Sequence, residues 1–209
     1  MSNTSDIKRE IIEIGRRMYD KGYVVANDGN ISVRTDQDTI WVTPAGVSKG
    51  FMTEDMMVEM KLDGSIAEGT YKPSSEAKMH LRVYRENPSI VAVVHAHPPV
   101  ATAFAASGLS LEEPLLSETA SLLGSIPLVP YSTPGTEEVP NAIAPYCNTH
   151  VAILLANHGV LTWGTGLMQA YFRLEEMEQT AKINAISRYI LKSPKPLNKE
   201  QIDRLPKFY

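Results

Sequence analysis

Two long apolar runs in this chain end in histidine, and this constrains the fold more than any other feature. Residues 90–94 are Ile, Val, Ala, Val and Val, followed by His95-Ala96-His97; residues 151–156 are Val, Ala, Ile, Leu, Leu and Ala, followed by Asn157-His158-Gly159. Short β-branched runs bounded by turn residues read as buried strands. Residues two apart on a strand share a face, so His95 and His97 present both imidazoles to one place, and the second strand end supplies a third nitrogen. A single histidine after an apolar run is ordinarily a hydrogen-bonded core residue, which is how His158 reads in isolation. Three of the five histidines at buried strand ends are costly unless they share a partner, and we read that partner as a metal ion. Three neutral nitrogens plus an open position suit Zn2+, with Mn2+ or Co2+ as alternatives, in a catalytic rather than a closed structural site.

The remaining pattern supplies helices to cover such strands. Ile7, Ile11, Ile14 and Met18 fall at helical spacing up to about Gly22, and Ala77, His80, Leu81 and Tyr84 form a second stripe that Asn87-Pro88 ends. Leu167, Ala170, Tyr171, Leu174, Met177 and Ala181 mark the longest helix, out to about Leu191. Shorter strands are expected over residues 31–34, 39–43, 57–62 and 126–131. The expected fold is therefore α/β: a three-layer αβα arrangement over a mostly antiparallel or mixed sheet. At 209 residues the chain fits one domain over 1–209, with Ser193-Pro194-Lys195-Pro196 introducing a mobile tail over 193–209.

Composition excludes several classes. A net charge of −4 gives no broad field for nucleic acid, and no apolar run approaches the roughly 20 residues of a membrane span. One cysteine, Cys147, excludes an intrachain disulfide and a thiolate cluster, in keeping with a reducing compartment. The expected location is the cytoplasm, without a nucleic-acid or membrane partner. Neither a Gly-x-Gly-x-x-Gly nor a P-loop pattern occurs, so a nucleotide fold has no support.

Ser74-Ser75-Glu76 places two hydroxyls and a carboxylate at an expected helix start. This is either a capped helix or, with free amides beside the hydroxyls, a pocket for a phosphate dianion. Asn30 beside Gly29, and Gly46 in Thr43-Pro44-Ala45-Gly46, are turn elements that bring further donors to an anion. Lys49, just beyond, is either a further donor to that anion or, as the more ordinary case, a solvated side chain. Glu76, on the phosphate side of such a site, is able either to ligate the metal or to take a proton from a bound substrate, provided the fold brings it close. His80 reads as a core histidine and His150 as an exposed turn residue.

Taken together, Asn30-Ile31-Ser32-Val33-Arg34, Thr43-Pro44-Ala45-Gly46, Pro73-Ser74-Ser75-Glu76, His95-Ala96-His97 and Asn157-His158-Gly159 stand in the order and spacing of the class II aldolase and adducin head family. The resemblance covers nearly the whole chain and is nearest in pattern to the branch acting on L-fuculose 1-phosphate. It implies a zinc-dependent aldolase that cleaves a ketose 1-phosphate to dihydroxyacetone phosphate and a short aldehyde through an enediolate. It also implies a homotetramer with active sites between subunits. On this likeness His95, His97 and His158 are metal ligands, and Glu76 is both a ligand in the free enzyme and the acid/base. Asn30, Gly46, Ser74 and Ser75 match the phosphate-binding positions, although the family's threonine before the glycine is Ala45 here. The fuculose enzymes also use a tyrosine from a neighbouring subunit, yet no tyrosine occurs between Tyr84 and Tyr131; Glu118 stands near that place. Tyr209 closes a tail resembling the family's mobile C-terminal segment and is either a lid over the site or a frayed end. Ribulose-phosphate 4-epimerases share the scaffold but usually carry aspartate where this chain has Glu76. Dehydratases and decarboxylases of related sugar phosphates are further branches, and the non-enzymatic adducin head lacks the metal ligands found here.

Overall fold

The computed structural model describes residues 4–208. Ile11, Ile14 and Met18 are fully buried along one stripe of α1 (Thr4–Asp20). The chain then runs through an antiparallel meander of β1 (Asn30–Arg34), β2 (Thr39–Val42), β3 (Val58–Lys61) and β4 (Ile66–Glu68). α2 (Ala77–Glu86) returns it to β5 (Ala92–Ala96), which pairs with β1. α3 (Pro99–Ala106), α4 (Ser117–Leu122), β6 (Leu128–Val129) and α5 (Glu138–Ile143) follow. The hairpin of β7 (Ala152–Leu155) and β8 (Gly159–Gly164) inserts between β5 and β6. α6 (Leu167–Ala185) continues into a π-helical turn, Ile186–Ile190, and α7 (Lys199–Asp203) lies near the end.

The eight strands lie in the order β4-β3-β2-β1-β5-β8-β7-β6, antiparallel except for β6 with β7, so the sheet is mixed, as expected. Its two faces carry separate cores. Ala92, Val94 and Ala96 of β5 pack with residues of α1, α3 and α6, whereas Val93 packs with α2 and α5 residues such as Leu81, Tyr84 and Ile143. This is the three-layer αβα arrangement, and strand alternation assigns His95 to the α2 face along with Val93.

Local differences from the expected elements have simple causes. α2 starts at Ala77, directly after the expected Ser74-Ser75-Glu76 start: Ala77 N donates to Ser74 O in a turn, and Glu76 stands at the cap position without a side-chain cap bond. β4 was not anticipated: its three residues are exposed and carry no alternating apolar signal. α4 and α7 are too short for a helical period to show. Residues of the tail are hydrogen-bonded to the body, through Leu197 N to Pro114 O (3.0 Å) and Phe208 N to Ser121 O (2.8 Å). No helix among the described residues is long and apolar enough to cross a membrane.

Beneath the sheet, Ser32 Oγ lies 2.7 Å from His80 Nδ1 and 2.8 Å from Tyr84 Oη, a buried polar cluster joining β1 to α2. Burial draws His80 down to about 4, below its ordinary 6.5. The folded state therefore binds fewer protons than the unfolded chain in that window. The stability His80 contributes is complete above pH 6.5 and is lost as pH falls towards 4. The expected loss from this residue is up to about 3 kcal/mol, measurable by urea unfolding of metal-free protein across that range. His80→Gln should flatten the slope by close to one proton.

Candidate metal centre and anion pocket

Sheet register assembles the site. Asn30, at the start of β1, pairs with His95 from one side, and Leu161 of β8 pairs with His95 from the other. The β7–β8 turn delivers His158 to the same sheet end, with Asn157 holding a left-handed φ of 56°. Gly159 follows at a point where a Cβ would stand 2.5 Å from His97 Cδ2 and 2.6 Å from the Ala96 carbonyl. No side chain fits there without moving the His97 ring.

The structure brings His95, His97, His158 and Glu76 together. His95 Nε2 is 3.1 Å from His97 Nε2 and 3.3 Å from Glu76 Oε2, and His158 Nε2 is 2.9 Å from Glu76 Oε1. One potential ligand atom from each histidine lies within 4.8 Å of the others. His95 is fully buried, and its Nδ1 is 2.8 Å from Val160 O. A carbonyl only accepts, so Nδ1 carries the proton and Nε2 turns a lone pair towards the cluster. Burial draws His95 down to about 3; burial and the neighbouring His158 draw His97 down as well. Both imidazoles are therefore neutral at pH 7. Neutral nitrogens facing a carboxylate at such distances call for a cation or a shared proton between them. Two nitrogens of a tetrahedral zinc site, with bonds of about 2.05 Å, stand roughly 3.3 Å apart, so the donor set and its spacing fit a divalent transition metal.

Glu76 is the residue whose environment departs most from a helix cap. Burial pushes its carboxyl up, but His95, His158 and the Asn30 amide outweigh that and hold it below the usual carboxylate range. Asn30 Nδ2 donates to Glu76 Oε2 at 2.7 Å. The carboxylate is thus turned into the histidine cluster and away from the amides of α2.

Beside the cluster a cavity of about 280 Å³ is lined by Asn30, Gly46, Ser74 and Ser75, all expected on sequence grounds, and also by Asp28 and Lys49. The turn around Gly46, whose φ is 72°, is joined to the Pro73–Ser74 segment by Ala45 N to Lys72 O (2.9 Å) and Ser74 N to Thr43 O (3.2 Å). Lys49 corrects the expectation of a solvated side chain: it is 1% exposed. Asp28, which precedes Gly29 and Asn30 in the same turn and was not among the expected site residues, places Oδ2 3.5 Å from His97 Nδ1. Its signal was its place one residue before the glycine of the Asn27-Asp28-Gly29-Asn30 turn. Glu118 is exposed on α4 and does not line the cavity of this chain. Tyr209 lies outside the described residues. His150 is half-buried, its ring against Tyr146, rather than exposed.

An αβα sandwich whose mixed sheet ends in such a cluster offers a site able to hold a metal ion beside an anion pocket. Residues 9–185 match the Class II Aldolase and Adducin N-terminal domain, and the chain belongs to that family. It is 37% identical over 177 residues to L-fuculose phosphate aldolase of Methanococcus maripaludis, covering 85% of this chain and 95% of the relative. It is 34% identical over 180 residues to 3-oxo-tetronate 4-phosphate decarboxylase of Haemophilus influenzae, covering 84% and 85%. Among solved structures, YgbL of Klebsiella pneumoniae superposes with a TM-score of 0.92 at 28% identity, over 98% of this chain and all of the other. For YgbL itself aldolase, epimerase and decarboxylase activities stand open. The two sequence relatives are thus a decarboxylase and an aldolase, each of a phosphorylated substrate.

Gly159→Ala tests the geometry of this sheet end. Its methyl group displaces the His97 ring, and the expected result is a fall of about 10- to 100-fold in metal affinity with the far-ultraviolet circular dichroism unchanged. Competition with a chromophoric chelator measures it.

Proposed function

We propose that the protein is a metal-dependent aldolase that cleaves a ketose 1-phosphate of the L-fuculose 1-phosphate type, reversibly, to dihydroxyacetone phosphate and a short aldehyde. The observation that carries this reading is the Glu76 carboxylate, set 2.9 to 3.3 Å from two of three clustered histidines and hydrogen-bonded to Asn30. In this reading His95, His97 and His158, with Glu76 in the free enzyme, hold a divalent ion, Zn2+ or alternatively Mn2+ or Co2+. The ion supplies Lewis acidity for the negative charge of an enediolate.

The other tasks fall to the chain's own residues. Asn30, Gly46, Ser74 and Ser75 hold the substrate phosphate, which places the neighbouring carbons against Glu76. In the condensation direction ionised Glu76 takes a proton from the hydroxymethyl carbon of dihydroxyacetone phosphate, and the electron pair left behind forms the enediolate. That pair then attacks the aldehyde carbon, and the protonated Glu76 carboxyl gives its proton to the aldehyde oxygen, which becomes a hydroxyl. Cleavage reverses this: the hydroxyl passes its proton to ionised Glu76 as the carbon–carbon bond breaks towards the ketone, and Glu76 returns that proton to the enediolate carbon.

A second reading is loss of carbon dioxide from a 3-oxo acid 4-phosphate. It is favoured by the Haemophilus influenzae relative and by the absence of a tyrosine between Tyr84 and Tyr131. Expelling carbon dioxide leaves the same enediolate but requires no base at a departing hydroxyl. Both readings share the step at Glu76, so the first test is deuterium incorporation into dihydroxyacetone phosphate by metal-loaded protein in heavy water. Exchange supports the shared step. Aldehyde-dependent consumption of dihydroxyacetone phosphate then supports the aldolase, and carbon dioxide release from 3-oxo-tetronate 4-phosphate the decarboxylase. Absence of exchange, of condensation and of carbon dioxide release overturns both.

A further inference from the structure

We propose that Lys49 is the cation of the phosphate pocket, a buried ammonium that ties its two turns together and presents its remaining N–H and its charge to the substrate's phosphate. Lysine is rarely so enclosed unless its charge has a partner. At 1% exposure, Lys49 Nζ donates to Asn27 O at 3.1 Å and to Val47 O at 2.7 Å. Those carbonyls belong to the two turns that present Asn30 and Gly46. An ammonium has three protons, and these two bonds leave one unassigned on a side chain that lines the same cavity as Ser74 and Ser75.

The placement is built in. Gly15 of α1 packs so closely that a Cβ there would stand 2.8 Å from the Lys49 carbonyl, which fixes the backbone beneath the cavity. Carbonyl partners satisfy N–H groups without neutralising the charge, and a neutral donor could tie the turns without desolvating an ion. The carboxylates that act on Lys49 are Asp28 and Glu76, and both have other partners: Asp28 faces His97, and Glu76 faces His95, His158 and Asn30. Burial draws the ammonium down to about 8, with those two carboxylates opposing, so it is predominantly charged at pH 7. A dianionic phosphate entering the cavity meets neutral donors on Asn30, Gly46, Ser74 and Ser75, and Lys49 is the cation that sets a charge-assisted contact of the stronger kind against the carboxylates Asp28 and Glu76 of the same lining.

This inference rests on reading the cavity as a phosphate site, and the test separates the two. Dissociation constants of dihydroxyacetone phosphate and of unphosphorylated dihydroxyacetone are measured by calorimetry on metal-loaded wild type, Lys49→Gln and Lys49→Arg. Metal content and melting temperature are checked for each. Glutamine keeps donors without charge; arginine keeps both. The expected result is a loss of at least about tenfold for the phosphorylated ligand in K49Q, recovery to within a few-fold in K49R, and little change for dihydroxyacetone in either. K49Q binding the phosphate like wild type, or K49R as impaired as K49Q, overturns the role of the charge and leaves the phosphate site standing. Wild type that gains nothing from the phosphate group overturns the site and the inference together.

Discussion

His95→Ala is expected to lose the metal and the activity together. The imidazole is wholly enclosed, with Nδ1 fixed on the Val160 carbonyl and Nε2 facing His97 and Glu76, so its orientation is set before any ion arrives. Alanine leaves two imidazoles and a carboxylate around an emptied volume. Three nitrogens and a carboxylate become two nitrogens and a carboxylate, a weaker set that buffer ligands and chelators outcompete. Metal content should drop from one ion per chain to a small fraction of that. Deuterium exchange should fall by at least about 10³-fold, which corresponds to the several kcal/mol that a Lewis acid contributes to a developing oxyanion. Elemental analysis decides the matter: full metal retention in purified H95A contradicts the ligand set.

Glu76→Gln separates proton transfer from phosphate binding. The amide oxygen still accepts from Asn30 and the three imidazoles are untouched, so the fold and, in protein loaded with excess metal, the affinity for dihydroxyacetone phosphate are expected to persist. What disappears is a group able to gain and release a proton. A correctly placed acid or base contributes roughly 10² to 10⁴ in rate, and the loss should appear in the exchange rate with the dissociation constant nearly constant. Equal exchange by E76Q and wild type removes Glu76 from the acid/base role.

These two residues were legible in the sequence for different reasons. His95 and His97 stood out because strand alternation is strict, and a two-residue spacing at the end of an apolar run leaves little choice of face. Glu76 was legible beside the two serines as a candidate ligand or base, but a carboxylate before a helix also reads as a cap, and its double role came only from the resemblance. Lys49 was misread because its burial depends on the turns at Asn27 and Val47 meeting over it, a long-range closure that local hydrophilicity does not encode. Gly15 was equally silent, and Gly159 was legible only as part of its motif: each is required by a partner segment, at Lys49 and at His97, far away in the chain. The sheet order shows the same division. Mixed pairing could be anticipated from the succession of strands and helices, but nothing in β4's three exposed residues announced a strand.

The histidine cluster draws on α2's leading edge, the end of β5 and the β7–β8 turn, all of which meet only once the central strands have paired. Metal uptake is consequently a calorimetric report on the whole sheet. An ion at 100 times its dissociation constant adds about 2.7 kcal/mol to the unfolding free energy, and for a chain of this size that raises the melting temperature by roughly 5 to 10 °C. Chelator added to the native protein should reverse the shift, and a fragment lacking the β7–β8 hairpin should show none.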